Sequence, residues 1–285
     1  MVIRTLAAPL FLVLAGTADS PAENLPLPML LERLNRTAGL YHSGALDFTC
    51  VEAVDFNRKR EKYDYIYKLT DGVLEDHHVP RALGKKKELL ERPSSVPGGL
   101  ERPSLWTGVF AEVRQAYNRY SILGREVVLG RSTILIAFEP MPGKPLIDEV
   151  NDWTGTAWVD VETFQIVKVV AFDARLRVDH RNLLERYEAL KRQADLEPKR
   201  EDPKPFKFEM TTYSTLFGYV KNGMRFPTEV RTERRQYLLP GDDVDDPKAG
   251  HQMFLVVQTF DKYRFFNVRT EEQVTQIVLG QDPPD

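Results

Sequence analysis

Two spacings of apolar residues organise this chain. From Met29 to Tyr41, Leu30, Leu31, Leu34, Ala38 and Tyr41 recur every three or four positions, with Glu32, Arg33, Asn35 and Arg36 opposite. That spacing predicts an amphipathic helix with one face toward a core. Alternation then takes over. Phe48 to Phe56 and Tyr63 to Leu69 read as strands, joined by a charged connection over Asn57 to Glu61. Asp71-Gly72 marks a further turn. Asp76 to Leu100 is the least regular stretch, with a helical turn or two over Lys85 to Arg92 and a Pro- and Gly-rich loop from Arg92 to Pro103. Ser104 is placed to cap a helix running to about Tyr117.

Beyond Tyr117 the period is two. Tyr120 to Leu129 forms a strand kinked at Gly124, and Thr133 to Phe138 (TILIAF) is apolar on both sides. A strand without a wet side must be covered on both faces. Thr156 to Phe172 reads as a tight hairpin that turns from Asp160 to Thr163. Val178 to Glu197 returns to helical spacing, and a charged Pro-rich connector runs from Pro198 to Pro205. Phe206 to Val220 and Met224 to Leu239 form a second, larger hairpin through Asn222-Gly223. Pro240 to Gly250 is an acidic solvent loop, and Met253 to Phe260 and Tyr263 to Val268 close the pattern. Strand follows strand through short polar turns, without the regular crossovers of parallel units. The fold class is α+β, mainly antiparallel β: one large sheet curled around an apolar interior, with helices packed on it.

The N-terminus changes where this protein is expected. Arg4, the apolar run Leu6 to Gly16 and the small residues Gly16, Thr17 and Ala18 have the layout of a secretory signal peptide over residues 1–18. Residues 19–285 then form one domain, periplasmic or secreted, soluble or at most peripheral to the membrane. Net charge is -3, and no broad basic surface suggests a nucleic-acid partner. Cys50 is the single cysteine, so no internal disulfide forms, and its neighbours make it a small buried hydrophobe.

Catalytic and metal-binding patterns are not found. The five His make no HExxH, and the run Glu75-Asp76-His77-His78 reads as a solvated loop. There is no GxSxG elbow, P-loop or GxGxxG. The four Asp of 242–246 lack the spacing of a calcium loop. The expectation is a non-enzyme without catalytic residues, cofactor or metal. What stands out is apolar and aromatic strand surface.

Three pieces carry a family resemblance: ILGREVVLGRSTILIAFEP, then GTAWVDVETFQIVKVVAFD, then FGYVKNGMRFPTEVRTE before a last YRFFNV. They resemble the strand–turn–strand unit, the W-[IV]-D-x-E-[TS]-[FY] hairpin and the closing strands of the periplasmic lipoprotein-carrier superfamily of LolA and LolB. The resemblance covers about half the chain. It implies a half-barrel closed by helices around a cavity for acyl chains. The ligand is then a lipid or other apolar small molecule. The lining residues expected are Ile134, Ile136, Phe138, Trp158, Val167 and Val169, with Phe206, Phe208 and Met210 of the next hairpin. The alternative is an envelope scaffold or protein-interaction module with a closed core and an envelope protein as partner.

Overall fold

The computed structural model describes residues 25–42, 48–70, 73–81, 100, 102–144, 152–196, 201–246 and 248–266. The signal peptide read over residues 1–18, the Asp71-Gly72 turn and the helical turn at Lys85 to Arg92 lie outside them. The elements are α1 (Leu27–His42), β1 (Phe48–Phe56), β2 (Lys59–Thr70), β3 (Val73–Pro80), α2 (Ser104–Thr107), α3 (Glu112–Gln115), β4 (Asn118–Val128), β5 (Arg131–Pro140), β6 (Trp153–Asp160), β7 (Ile166–Asp173), α4 (Arg175–Leu196), β8 (Phe206–Leu216), β9 (Tyr219–Lys221), β10 (Met224–Phe226), β11 (Glu229–Leu239) and β12 (His251–Phe265).

Ten strands form one antiparallel sheet in the order β3-β2-β1-β12-β11-β8-β7-β6-β5-β4. The curled, open antiparallel sheet read from the sequence is the observed fold. A pairing across almost the whole chain joins β1 to β12, with Ala53 opposite Thr259 and Phe56 opposite Val256. β7 meets β8 across α4, and short turns join pairs such as β1–β2 and β4–β5. Asn57 and Arg58, both at positive φ, make a two-residue hairpin between β1 and β2. The charged residues Lys59 to Glu61 therefore belong to β2 rather than to a longer connection.

The inner face carries Phe48, Tyr65, Ile136, Ala157, Val169 and Phe260, all buried. Against it pack Leu30, Leu34, Leu40 and Tyr41 of α1, with Trp106, Val109 and Phe110. The single helix expected from Ser104 to Tyr117 is instead two short turns, α2 and α3. Gly108 ends the first, Ala111 is extended, and the Val109 carbonyl accepts the Tyr120 hydroxyl at 2.8 Å rather than a helical amide. The side chains of Trp106 and Phe110 are thereby sunk into the core. The Trp106 ring stands edge-on to Trp153 at 5.2 Å.

Two further elements differ from the sequence pattern. Glu75 to His78 lie on strand β3, not in a solvated loop. His78 is opposite Tyr65, and its Nδ1 is 2.6 Å from Oε2 of the fully buried Glu52, whose Oε1 accepts from Gln258 Nε2 at 2.7 Å. Neighbouring β1 and β12 supply those partners, and neither is near in sequence. Also, the large hairpin through Asn222-Gly223 is interrupted. β8 pairs with β11 as far as Leu216 and Glu229, while β9 and β10 leave the sheet as a separate two-stranded hairpin.

That hairpin plugs the interior. Phe226 stands edge-on to Phe48 at 5.3 Å, and Tyr219 stacks on Tyr263 at 4.7 Å. Asp160 at the end of β6 pins it. Asp160 Oδ2 accepts from Arg225 Nη2 at 2.8 Å and from Arg131 Nε at 2.7 Å, and the Arg225 amide donates to Gln165 Oε1 at 2.7 Å. Asp160 Oδ1 also accepts the amides of Glu162 and Thr163 at 2.9 and 3.1 Å, which closes the β6–β7 turn. Burial alone would raise the Asp160 pKa. The bonds from Arg131 and from the two amides outweigh it and hold the carboxyl below its ordinary range.

Gly155 on β6 faces the core, where a Cβ would stand 2.2 Å from the Val170 carbonyl and 2.8 Å from the Ala171 Cα. Backbone on the neighbouring strand cannot yield as a side chain tip does. Gly155→Ala is predicted to cost about 2–3 kcal/mol in urea unfolding; a change within 0.5 kcal/mol would show that β7 shifts freely. Asp160→Asn is predicted to cost about 3–5 kcal/mol at pH 7 by stranding Arg225. Because the folded carboxyl has the lower pKa, its stabilisation is present above the unfolded pKa of about 4 and is lost as pH falls through the folded value. The gap between wild type and Asp160→Asn should therefore narrow below about pH 4; a gap independent of pH would count against the ionised pair.

Candidate ligand-binding site

With the hairpin in place, large buried side chains such as Phe48, Phe226 and Phe260 occupy the inner side of the sheet. Leu34, Thr37, Ala38, Tyr41, Phe110, Phe164, Ile166 and Phe217 enclose a void of about 10 Å³ there. That is roughly the room one water requires. The larger space is on the other side of the sheet.

Alternation sends Phe172 of β7, and Phe208 and Met210 of β8, to the outer face. There Phe208 is opposite Tyr237, and Met210 opposite Arg235. Left bare, this apolar strip would face water. α4 crosses it with Leu176, Leu183 and Leu184, and the 241–250 loop adds Val244 and Ala249. The cover is thin. Of the 22 residues of α4, only Ala194 is buried. Between helix, loop and strands lies a cavity of about 320 Å³, lined by Phe172, Leu176, Arg177, His180, Arg181, Leu184, Phe208, Met210, Val244 and Asp245.

The floor is apolar and the polar groups stand on one side. Arg177 Nη2 approaches Asp245 Oδ1 at 3.3 Å, and its guanidinium lies 5.1 Å from the centre of the Phe172 ring. His180 tilts against Phe208 at 5.4 Å. Its pKa is lowered from the ordinary histidine value, by burial first; Asp245 works against the shift and Arg177 with it. The ring is therefore neutral at neutral pH. This combination holds an apolar body and leaves the charged groups in reach of solvent, the usual plan of a small-molecule site.

The residues expected from sequence are divided by the sheet. Phe208 and Met210 line this cavity. Phe206, on the same face, lies under α4 beyond it, 6.2 Å from the Tyr187 ring and 5.5 Å from the Arg186 guanidinium. Ile134, Ile136, Phe138 and Val169 are buried in the inner core. Val167 is fully buried beside the β6–β7 bulge, where its carbonyl accepts the Phe217 amide at 2.8 Å. Trp158 is on the outer face away from α4, its indole N–H donating to Glu126 at 2.7 Å and its ring 4.3 Å from the Lys168 ammonium. Leu176, Leu184 and Val244 were not foreseen. The three- and four-residue spacing of Leu183, Leu184 and Tyr187 marked α4 as covering something, but not which face.

Other chemistry is sparse. Cys50 is buried, and its thiol pKa is raised by burial first and then by the charge of Glu52, away from nucleophile chemistry. Among the described residues no group of three or more His, Cys, Asp or Glu could hold a metal ion, and no helix is long and apolar enough to cross a membrane.

No protein-family model matches the sequence, and no curated protein matches it. Solved structures similar to it include an outer membrane lipoprotein-sorting protein domain from Vibrio parahaemolyticus (11% identity, TM-score 0.41), covering 88% of this chain and 98% of that one. A DUF1329 family protein from Desulfovibrio piger is similar at 12% identity and TM-score 0.40, again over 88% and 98%. A LolA superfamily protein from Nitrosomonas europaea is similar at 9% identity and TM-score 0.39, over the same shares. The superfamily named from the sequence is thus among these neighbours. Likeness at this level says nothing of a ligand.

Phe208 ties α4 to the sheet through both His180 and the cavity floor. Phe208→Ala is predicted to cost about 3 kcal/mol. The loss should be local: amide exchange along α4 should speed up while the β1–β12 amides stay protected. Uniform acceleration across the sheet would show that α4 is not a separately opening unit.

Proposed function

We propose that this chain is an exported, non-enzymatic protein that binds a lipid or other apolar small molecule. The observation that supports this reading best is the cavity of about 320 Å³ beneath α4. It falls at the small end of the range of about 300–1,000 Å³ for ligand sites. The reading places the ligand on the outer side of the sheet, because the α4 cavity is far larger than the void of about 10 Å³ between α1 and the inner face. Phe208 and Met210 act as floor. The other residues read from sequence as lining take no part in this cavity. Affinity comes from apolar surface removed from water, about 25 cal/mol per Å² before ordering costs. A cover with one buried residue in 22 can lift at small cost to admit a chain.

A second reading, a protein-interaction module, has one observation in its favour. β4 is a sheet edge with Ile122, Leu123 and Val127 exposed. The bulge between Ile122 and Gly124 and the charges of Arg125 and Glu126 are the usual means of keeping such an edge from pairing. The ligand reading is therefore preferred.

The test is displacement of a neutral fluorescent probe, N-phenyl-1-naphthylamine, whose emission rises in apolar surroundings. Wild type is expected to bind it saturably. Leu184→Trp, which fills the cavity, should weaken binding at least about tenfold with an unchanged melting temperature. Equal binding by Leu184→Trp, or no saturable binding by wild type, would sink the α4 site.

A further inference from the structure

Resting on the reading of the α4 cavity as an apolar ligand site, we propose that its ligand is a single-chain amphiphile with a carboxylate head. The tail lies over Phe172, Phe208 and Met210, and the carboxylate is received at the helix edge by Arg181 and Arg177.

The argument is the placement of charge around a floor that has none. Every strand residue lining the cavity is apolar, and so are Leu176, Leu184 and Val244. The ionisable lining residues are Arg177, His180 and Arg181, from successive turns of α4, and Asp245 from the facing loop. His180 is neutral at neutral pH because burial lowers its pKa. Arg177 is matched by Asp245 at 3.3 Å. Arg181 is exposed at the cavity lip and makes no hydrogen bond or ion pair among the described residues. Among the lining residues one positive charge is therefore left over at the mouth of an apolar hole, with Asp243 of the facing loop acting on His180 from outside the lining. An uncharged ligand would leave it unused, and a cationic one would be repelled by it. A guanidinium offers two parallel N–H groups that fit a carboxylate. A phosphate monoester, carrying about -1.5 to -2 at pH 7, would overshoot a single free cation and crowd Asp245. A carboxylate neutralises Arg181 and can share Arg177 with Asp245.

The geometry also explains why the cationic groups are arginine on α4 rather than on the sheet. Arg177 holds its guanidinium over the Phe172 ring, 5.1 Å from its centre, and is still half exposed to water. The head of the ligand then meets the same helix that covers its tail. Binding would hold α4 down.

The experiment is displacement of N-phenyl-1-naphthylamine from the full chain by matched twelve-carbon ligands, each below its micellar concentration. Dodecanoate should displace the probe at about tenfold lower concentration than 1-dodecanol, with dodecylammonium weakest. The advantage should shrink as salt rises, since the head is screened and the tail is not. Arg181→Gln should bring dodecanoate and dodecanol together, and Arg177→Gln should do so in part. Arg192→Gln, farther along α4, should behave as wild type. Equal potency of dodecanoate and dodecanol on wild type overturns the head-group inference and leaves the apolar site standing. Failure of both to displace a bound probe sinks the apolar site as well. A preference that survives Arg181→Gln, or a preference for dodecylammonium, overturns the assignment of the head to this edge. Capture by vesicles of phosphatidylglycerol without displacement by dodecanoate overturns it too, in favour of a membrane surface.

Discussion

The buried carboxylate of Asp160 holds this architecture together. It is fully buried and engaged by two guanidinium groups and two amides, from β5, the hairpin turn and β10. A carboxylate out of water is tolerated only when so matched. Satisfying it fixes Arg225, and Arg225 fixes the β9–β10 hairpin. Phe226 and Met224 then fill the hollow that an open, curled sheet would otherwise leave over Phe48 and Phe260. Tyr41 of α1 completes the same arrangement, donating its hydroxyl to the Arg225 carbonyl at 2.6 Å.

A filled interior moves the question of a ligand to the other face. Sheets of this size have two apolar strips when strands such as β7 and β8 alternate large residues on both sides. The inner strip is covered by α1, by the short turns α2 and α3 and by the plug. Among the described residues, the outer strip is covered by α4 and an acidic loop. The contrast is one of investment in packing: α1 places Leu30, Leu34, Ala38 and Tyr41 in the core, whereas α4 buries Ala194 alone. Helices gain most of their stability from the face they pack. α4 is accordingly the more lightly held of the two long helices, and the cavity lies beneath it.

The W-V-D-V-E-T-F run of residues 158–164 shows why part of this was legible. Trp158 bonds Glu126, Asp160 closes the turn, Glu162 pairs with Arg131, and Phe164, at positive φ, is buried beneath the Arg33 guanidinium. Of these tasks the Asp160 turn is set by local geometry, through the amides of Glu162 and Thr163, and that is enough for the run to read as a hairpin on sight. β3 was missed for the opposite reason. Its His78 is held by Glu52, and Glu52 by Gln258, which is 206 positions away. A polar run with such partners looks like a loop until they are found. The helix over 104–117 failed likewise, because burial of Trp106 and Phe110 and the Tyr120 hydroxyl outweighed propensity.

The sequence by itself determined the elements with local causes: the period of α1 and α4, the alternation or apolar runs of β1, β4 to β8 and β11, and the turns at Asn57, Asp160 and Asn222. It determined from these that the sheet is antiparallel and curled. Only the tertiary structure decided which apolar face was finished and which was left partly open. Facing is decided by pairs far apart in the chain, β1 with β12 and Asp160 with Arg225, and alternation has no means of recording which side a distant helix will cover. Hence Ile134, Ile136, Phe138 and Val169 share the strand pattern of Phe208 and Met210, yet one group is core and the other is the floor of a cavity.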